Sequence, residues 1–252
     1  MDKKDKNFYI TTPIYYVNDV PHIGHAYTTI ICDTIANFNK WLGKDVNFLT
    51  GTDEHGQKVE KSALAAGINP QEFTDKVSKS FIDLTKKLEV NNNDFIRTTE
   101  LRHKNAVESL WKKLEDTGDI YLDKYSGWYS IRDEAFYSSD EITEKSNGKN
   151  IAPNGSEVEW LEEPSYFFKL SSWQDKLLKF YKANPDFVSP KTRYNEVLSF
   201  VNKGLKDLSI SRTTFKWGIP VPSNEKHIIY VWLDALTNYL SGVDYPNTDS
   251  NN

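Results

Sequence analysis

Apolar positions near the start of the chain follow the spacing of a strand, then of a helix, then of a strand again. Residues 8–12 are aromatic and β-branched and stop at Pro13, which predicts a strand. From Ala26 to Gly43 a three- or four-residue spacing predicts an amphipathic helix with an apolar face made of Tyr27, Ile31, Ile35, Phe38 and Leu42. Residues 46–50 predict a second strand, so a right-handed βαβ unit with two parallel strands is favoured.

The rest of the chain predicts further helices around a section of different character. Helical spacing recurs over residues 70–88 and 100–116. Residues 119–164 alternate short aromatic runs with polar turns, which indicates an inserted β-rich module. The apolar run at residues 228–233 predicts a buried parallel strand that leads into a helix beginning near Asp234.

Composition and charge narrow the classes of protein. The 252 residues are 38% hydrophobic with a net charge of −5, and Cys32 is the only cysteine, which excludes an internal disulfide and a cysteine-rich zinc cluster. Charge is uneven, since residues 119–164 carry a net −7 and residues 165–216 a net +6. The sequence shows neither a signal peptide nor an apolar run of membrane-spanning length, so we expect a cytoplasmic protein with no membrane partner.

Two histidines lie where the first predicted strand turns into the first helix. In an open α/β sheet this carboxyl edge is where ligands bind, and unpaired N–H groups at a helix start favour phosphate. His22 and His25 could donate further hydrogen bonds to phosphate, and Gly24 would let a flat base approach the backbone. The alternative is that both histidines are ordinary loop residues. A zinc site here lacks a third ligand.

Two further stretches carry candidate chemistry. Residues 51–56 (GTDEHG) directly follow the second predicted strand, and Asp53 could accept a charge-assisted hydrogen bond from a substrate ammonium group. The alternative is a solvated acidic turn with Glu54 and His55 facing water. Large aromatic residues within 230–239 surround the small Ala235 and could wall an apolar pocket, although such residues are more often simply core.

Together these stretches resemble one family, the class I methionyl-tRNA synthetases. Residues 12–29 resemble the signature around that family's His-Ile-Gly-His motif. The related branched-chain synthetases carry a Gly-Trp-Asp-x-His-Gly stretch where this chain has residues 51–56 (GTDEHG), so the resemblance is to the methionine branch. Four more stretches resemble the family in its own order, so the resemblance spans roughly residues 8 to 246: residues 95–103, 207–212, 217–222 and 231–239.

The resemblance implies a fold, an activity and roles for residues. The implied fold is an α/β, Rossmann-like, parallel-sheet nucleotide-binding domain in residues 1–116 and 219–252, interrupted by a connective insertion in residues 117–218. The implied activity is ATP-dependent activation of methionine to methionyl adenylate, with Mg²⁺, and transfer to tRNA(Met). His22 and His25 would be catalytic and would bind ATP with Gly24. Methionine would be bound by Ile14, Tyr16, Asp53, Trp232, Ala235 and Tyr239.

The sequence departs from the family in two places. Many members carry a Cys-x-x-Cys zinc knuckle where residues 129–134 stand here, so no zinc is expected. In the family, the Lys-Met-Ser-Lys-Ser loop and the anticodon-binding domain follow the Trp232 segment, where this sequence has few residues left. We therefore expect the catalytic activity of this chain to be impaired. Residues 76–80 (KVSKS) are interpreted as a coincidental, solvated helix face.

Other classes and partners follow from the same observations. The chain could be a non-catalytic fragment that binds ATP or methionine, or a nucleotidyltransferase that does not load tRNA. The basic residues 165–216 predict the face that approaches tRNA. The alternative for their lysines is the solvated side of an amphipathic helix.

Overall fold

A parallel sheet forms the first layer of the computed structural model, which describes residues 6–133, 135–137, 139–144 and 148–247. Its strand β3 (Asp45–Asp53) pairs in parallel with each of the other three strands. This confirms the predicted βαβ unit. The elements of this part are, in chain order, β1 (Asn7–Thr11), β2 (Tyr15–Tyr16), α1 (Ile23–Trp41), β3 (Asp45–Asp53), α2 (Gln57–Ala65), α3 (Pro70–Lys87), β4 (Asp94–Arg97) and α4 (Leu101–Asp116).

The helices α3 and α4 confirm two predictions, whereas α2 was missed. Asn69 caps α3 by accepting the N–H of Glu72, and Pro70 supplies a first helical residue without an N–H group. Phe81 is buried on the face that packs beneath the sheet. In α2 only Val59 and Ala63 are buried, and two buried positions in nine residues are too few to stand out as a helical period.

The apolar face predicted for α1 does not point toward the sheet. Its five side chains, which we call the α1 apolar face, are 40–67% exposed: Tyr27, Ile31, Ile35, Phe38 and Leu42. The buried side of α1 instead presents Ala36 to Val46 and Phe48 of β3. Small residues on that side let the helix lie close against the sheet. Periodicity identifies the apolar face of a helix but does not indicate which layer covers that face.

An antiparallel sheet forms the predicted β-rich module. The long strands β5 (Ile120–Ser130) and β9 (Glu157–Phe168) pair along most of their lengths. The remaining short strands extend the sheet on both sides. Two helices, α5 (Gln174–Ala183) and α6 (Lys191–Asn202), fill the connection between β9 and β10 (Leu208–Ser209). The elements are β5 (Ile120–Ser130), β6 (Ala135–Tyr137), β7 (Thr143–Glu144), β8 (Asn150–Ile151), β9 (Glu157–Phe168), α5 (Gln174–Ala183), α6 (Lys191–Asn202) and β10 (Leu208–Ser209).

A third, small antiparallel sheet corrects the prediction for residues 228–233. Strand β13 (Asn224–Ile229) pairs with β11 (Ser211–Arg212) and β12 (Pro220–Val221), and helix α7 (Val231–Ser241) begins directly afterwards. Ile229 is buried against Trp111 of α4. The apolar run was misassigned because a strand buried on both faces has the same continuous apolar sequence whether it is parallel or antiparallel. The β11–β13 pairing connects residues before and after position 218, where the insertion is expected to end. The domain boundary at that position stays a prediction.

No helix within the described residues combines the length and the apolar character needed to cross a membrane.

Candidate substrate-binding site

His22 and His25 form a pair at the N-terminus of α1. The Nδ1 atom of His22 accepts the N–H of Gly24 at 3.0 Å, and the Nδ1 atom of His25 accepts the N–H of His22 at 3.1 Å. The two rings are stacked with centroids 3.8 Å apart. Because both Nδ1 atoms accept, a neutral ring carries its hydrogen on Nε2. Each ring therefore offers an Nε2–H donor to an external acceptor.

The surroundings of the pair determine what it offers a phosphate. Burial, and secondarily the neighbouring His22, lower the pKa of His25, which favours the neutral ring near pH 7. A side chain at Gly24 would place its Cβ 2.9 Å from Cε1 of His22, so glycine keeps that ring in place. The N–H of Gly24 donates to Nδ1 of His22, so it is not one of the unpaired N–H groups expected at this helix start. The donors that the pair itself leaves for an external acceptor are therefore the two Nε2–H groups.

A cavity of about 290 Å³ lies at the carboxyl edge of the parallel sheet. Asp53, the last residue of β3, is buried in a lining that is otherwise mainly apolar, and Tyr16 of β2 pairs with it in register. The structure brings all six residues expected to bind methionine into this one lining: Ile14, Tyr16, Asp53, Trp232, Ala235 and Tyr239. They come from the β1–β2 connection, β2, β3 and α7.

Six further lining residues were not singled out from the sequence: Pro13, Lys58, Asp133, Tyr230, Leu236 and Asn238. Pro13, Tyr230, Leu236 and Asn238 belong to stretches already identified as candidates in the sequence. Their position next to the expected binding residues was the signal that could have found them. Lys58 lies on the helix α2 that was missed. Asp133 comes from the insertion, and nothing in the sequence indicates that the insertion reaches this cavity.

The histidine pair does not line the cavity but adjoins it through Tyr15. The ring of Tyr15 meets that of His25 edge to face, with centroids 4.7 Å apart, and its hydroxyl lies 2.7 Å from Oγ1 of Thr29. Its two chain neighbours, Ile14 and Tyr16, line the cavity. A ligand with a phosphate near the histidines and an amino acid in the cavity would therefore pass Tyr15.

The loop after β3 is not a solvated turn. Glu54 is fully buried, and its carboxylate accepts hydrogen bonds from Arg97 at 2.7 and 3.0 Å. The hydroxyls of Thr52, Ser78 and Thr99 also donate to it. Ser78 is buried, so the interpretation of residues 76–80 as a solvated face was wrong at this position. These bonds fix the loop that follows Asp53.

The residues at the expected knuckle position do not fit zinc. Asp133 accepts hydrogen bonds from the hydroxyls of Ser130 at 2.7 Å and Tyr137 at 3.1 Å, and also from Ser156. Burial opposes ionisation of Asp133, but these donors outweigh it and hold its pKa below the usual range. Within the described ranges, no group of three or more His, Cys, Asp or Glu side chains could hold a metal ion. Zinc requires four such ligands at structural sites.

A parallel sheet with a histidine pair and an amino-acid-sized cavity at its carboxyl edge is the arrangement of a class I aminoacyl-tRNA synthetase. Residues 8–252 match the family described as tRNA synthetases class I (M), and the chain belongs to that family. The family resemblance and the α/β fold predicted from the sequence are thereby confirmed.

Curated relatives and solved structures agree with this assignment. The chain is 65% identical over 244 residues to a methionine–tRNA ligase of Rickettsia typhi, covering 97% of this chain and 47% of that protein. It is 55% identical to the ligase of Mesorhizobium japonicum, covering 97% and 48%. A Mycobacterium tuberculosis methionyl-tRNA synthetase bound by methionyl adenylate superposes with a TM-score of 0.93 at 50% identity, covering 98% of this chain and 49% of that one. The chain spans about half the length of the curated relatives it matches.

Proposed function

We propose that this chain binds L-methionine and ATP and joins them as methionyl adenylate, as part of a protein that transfers the methionyl group to tRNA(Met). The observation that carries the proposal is the buried carboxylate of Asp53 within an apolar cavity of amino-acid size. The ligase names of the relatives and the methionyl adenylate held by the Mycobacterium tuberculosis neighbour support it.

The cavity provides both halves of methionine recognition. The carboxylate of Asp53 accepts a charge-assisted hydrogen bond from the ammonium group of methionine, which positions the amino acid. Ile14, Tyr16, Trp232, Ala235 and Tyr239 enclose the thioether. An apolar pocket discriminates by about 1–3 kcal/mol per methylene group, so a close fit is required.

The chemical step needs positioning and charge stabilisation. A carboxylate oxygen of methionine attacks the α-phosphorus of ATP, the new P–O bond forms, and the bond to pyrophosphate breaks without proton transfer. The Nε2–H donors of His22 and His25 stabilise the charge on the phosphate oxygens, and Gly24 faces the adenine. Mg²⁺, bound with the ATP phosphates, would supply neutralising charge for the departing pyrophosphate.

Two measurements test the proposal. Calorimetric titration of the chain should show saturable binding of L-methionine, and methionine-dependent exchange of pyrophosphate into ATP should report adenylate formation. Binding without exchange would favour the non-catalytic fragment. Exchange that does not depend on methionine would favour a nucleotidyltransferase that loads no tRNA, and the absence of methionine binding would contradict the assignment of the cavity.

We also propose that residues 165–216, with their net charge of +6, approach tRNA(Met). Lys191 lies 4.1 Å from the ring of Tyr194, and Arg193 pairs with Glu196 at 2.6 Å, so part of this charge is already engaged. Affinity for tRNA should fall steeply with salt and fall further when Lys191 and Arg193 are neutralised. Salt-insensitive binding would contradict the proposal, as would no binding by this chain.

We further propose that the chain works without zinc. Elemental analysis of the purified protein should show no stoichiometric zinc, and a 1:1 content would overturn the proposal.

A further inference from the structure

Three buried titratable side chains meet between three elements of the fold. Asp234 in the first turn of α7 has its Oδ2 atom 2.6 Å from Nδ1 of His55, in the loop after β3. Its Oδ1 atom lies 2.8 Å from Nε2 of His103, on α4. None of the three is more than 3% exposed. None of them lines the cavity or belongs to the histidine pair, so substrate binding leaves this cluster unexplained.

Hydrogen-bond accounting fixes the roles of the three groups. Burial alone would raise the pKa of Asp234, but the two histidines outweigh it and lower that pKa to about 2. An ionised carboxylate can only accept, so His55 donates through Nδ1 and His103 through Nε2. The other nitrogen of His103 lies 3.1 Å from Oγ of Ser241. His103 therefore holds α7 at two points, two helical turns apart.

The cluster joins the two walls of the cavity. His55 follows Asp53 by two residues on the same loop, and Asp234 lies between Trp232 and Ala235 on α7. The first turn of α7 has no side-chain cap, so the bonds of Asp234 supply side-chain anchoring that a cap would otherwise give. A change in these bonds would move the apolar wall relative to the carboxylate of Asp53.

We propose that His55, Asp234 and His103 are positioning residues that do not contact methionine. They set the spacing between Asp53 and the α7 residues that line the cavity, such as Trp232 and Ala235, and thereby set the affinity for methionine. This inference rests on the proposed function. A merely structural cluster would instead affect stability and the binding of all ligands alike.

The experiment exchanges the same two amides at both histidines. The amide nitrogen of asparagine reaches the position of Nδ1, and that of glutamine reaches the position of Nε2. His55→Asn and His103→Gln therefore keep the donor to Asp234, whereas His55→Gln and His103→Asn misplace it. The matched control is His227→Asn, because His227 is a buried histidine whose Nδ1 lies 3.0 Å from Oγ of Ser211 in the third sheet.

Three quantities are measured for each variant: the Kd of L-methionine, the Kd of ATP, and hydrogen exchange of the α7 amides. The donor-misplacing variants should weaken methionine binding by about tenfold, leave ATP binding within about twofold, and speed exchange in α7. The donor-keeping variants should stay within about threefold of the parent for methionine. His227→Asn should change neither methionine binding nor exchange in α7.

The outcomes separate this inference from the proposed function. If the parent chain does not bind methionine, the proposed function fails, yet exchange in α7 still tests the cluster: a rise only in the donor-misplacing variants supports it. Equal behaviour of asparagine and glutamine at either histidine overturns the inference. Equal loss of methionine and ATP affinity overturns it as well, because it shows a general structural role.

Discussion

The ring of His25 stacks on that of His22, and its Nδ1 atom accepts the backbone N–H of His22 at 3.1 Å. One side chain therefore has two separate tasks. Nδ1 caps the start of α1, while Nε2–H remains for a phosphate. Since the two tasks use different atoms, a substitution can remove one and keep the other.

His25→Asn should separate these tasks. The amide oxygen of asparagine can take the place of Nδ1 and keep the cap, but no donor replaces Nε2–H. We expect pyrophosphate exchange to fall by about 10²-fold with little change in Tm. His25→Ala should in addition lose about 0.5–2 kcal/mol of stability with the cap. Full exchange activity in His25→Asn would contradict a role on phosphate.

Asp53→Asn should weaken methionine binding and spare ATP binding. The substitution keeps the shape of the side chain but removes the charge that holds the ammonium group, at a cost of about 1.5–3 kcal/mol in binding. Calorimetry with each ligand measures the difference. Asp53→Ala should behave similarly toward methionine. If Tm drops while both affinities are unchanged, Asp53 is a turn-capping residue instead.

Gly51→Ala should destabilise the parallel sheet strongly. The added Cβ would lie 2.0 Å from the carbonyl oxygen of Ile96, which forces β3 and β4 apart. We expect a loss at or above the upper end of overpacking, about 3 kcal/mol, in urea unfolding. Gly67→Ala is the control: its φ of +70° gives strain of about 1–2 kcal/mol, but its Cβ meets no atom. Equal losses would argue against the close approach of the strands.

Asp234 should contribute to stability in a defined pH range. Its folded pKa of about 2 lies below the value of about 3.9 for an unfolded chain, so the contribution is present above pH 4. It is lost as the pH falls from about 4 to about 2, and is on the order of 2 kcal/mol. Urea unfolding between pH 7 and pH 2.5 should show a shallower acid decline in Asp234→Asn than in the parent. Identical slopes would contradict an ionised Asp234.

The α1 apolar face should make this chain self-associate. Its side chains lie in one exposed stripe, and exposed apolar patches of this kind promote association. Replacing Ile35 and Phe38 with glutamine should reduce the binding of a dye that recognises exposed apolar surface. It should also lower the sedimentation coefficient of the protein, with little change in Tm. Ala36→Gln, on the buried side of the same helix, should lower Tm instead. An unchanged association state in the double variant would contradict this expectation.

Much of the site could be predicted because it is built from local patterns. A strand, a turn and a helix start place His22 and His25 at the edge of the sheet, and the strand before Asp53 places it at the same edge. The roles of Ile14, Tyr16 and Trp232 came from the family resemblance rather than from periodicity. Lys58 and Asp133 were missed because each depends on how a separate element folds back over the cavity.

The sequence by itself determined the first βαβ unit, the helices α3 and α4 and the β-rich character of the insertion, because hydrophobic period and turn residues act over a few positions. It also determined the family, through the order of several specific stretches. Only the tertiary structure decided that residues 224–229 pair in antiparallel, that α1 exposes its apolar face, and that Asp234 meets two histidines 131 and 179 positions away. These features depend on which surfaces meet after the chain collapses, and burial then selects partners, such as a carboxylate for two buried imidazoles, that no local period can indicate.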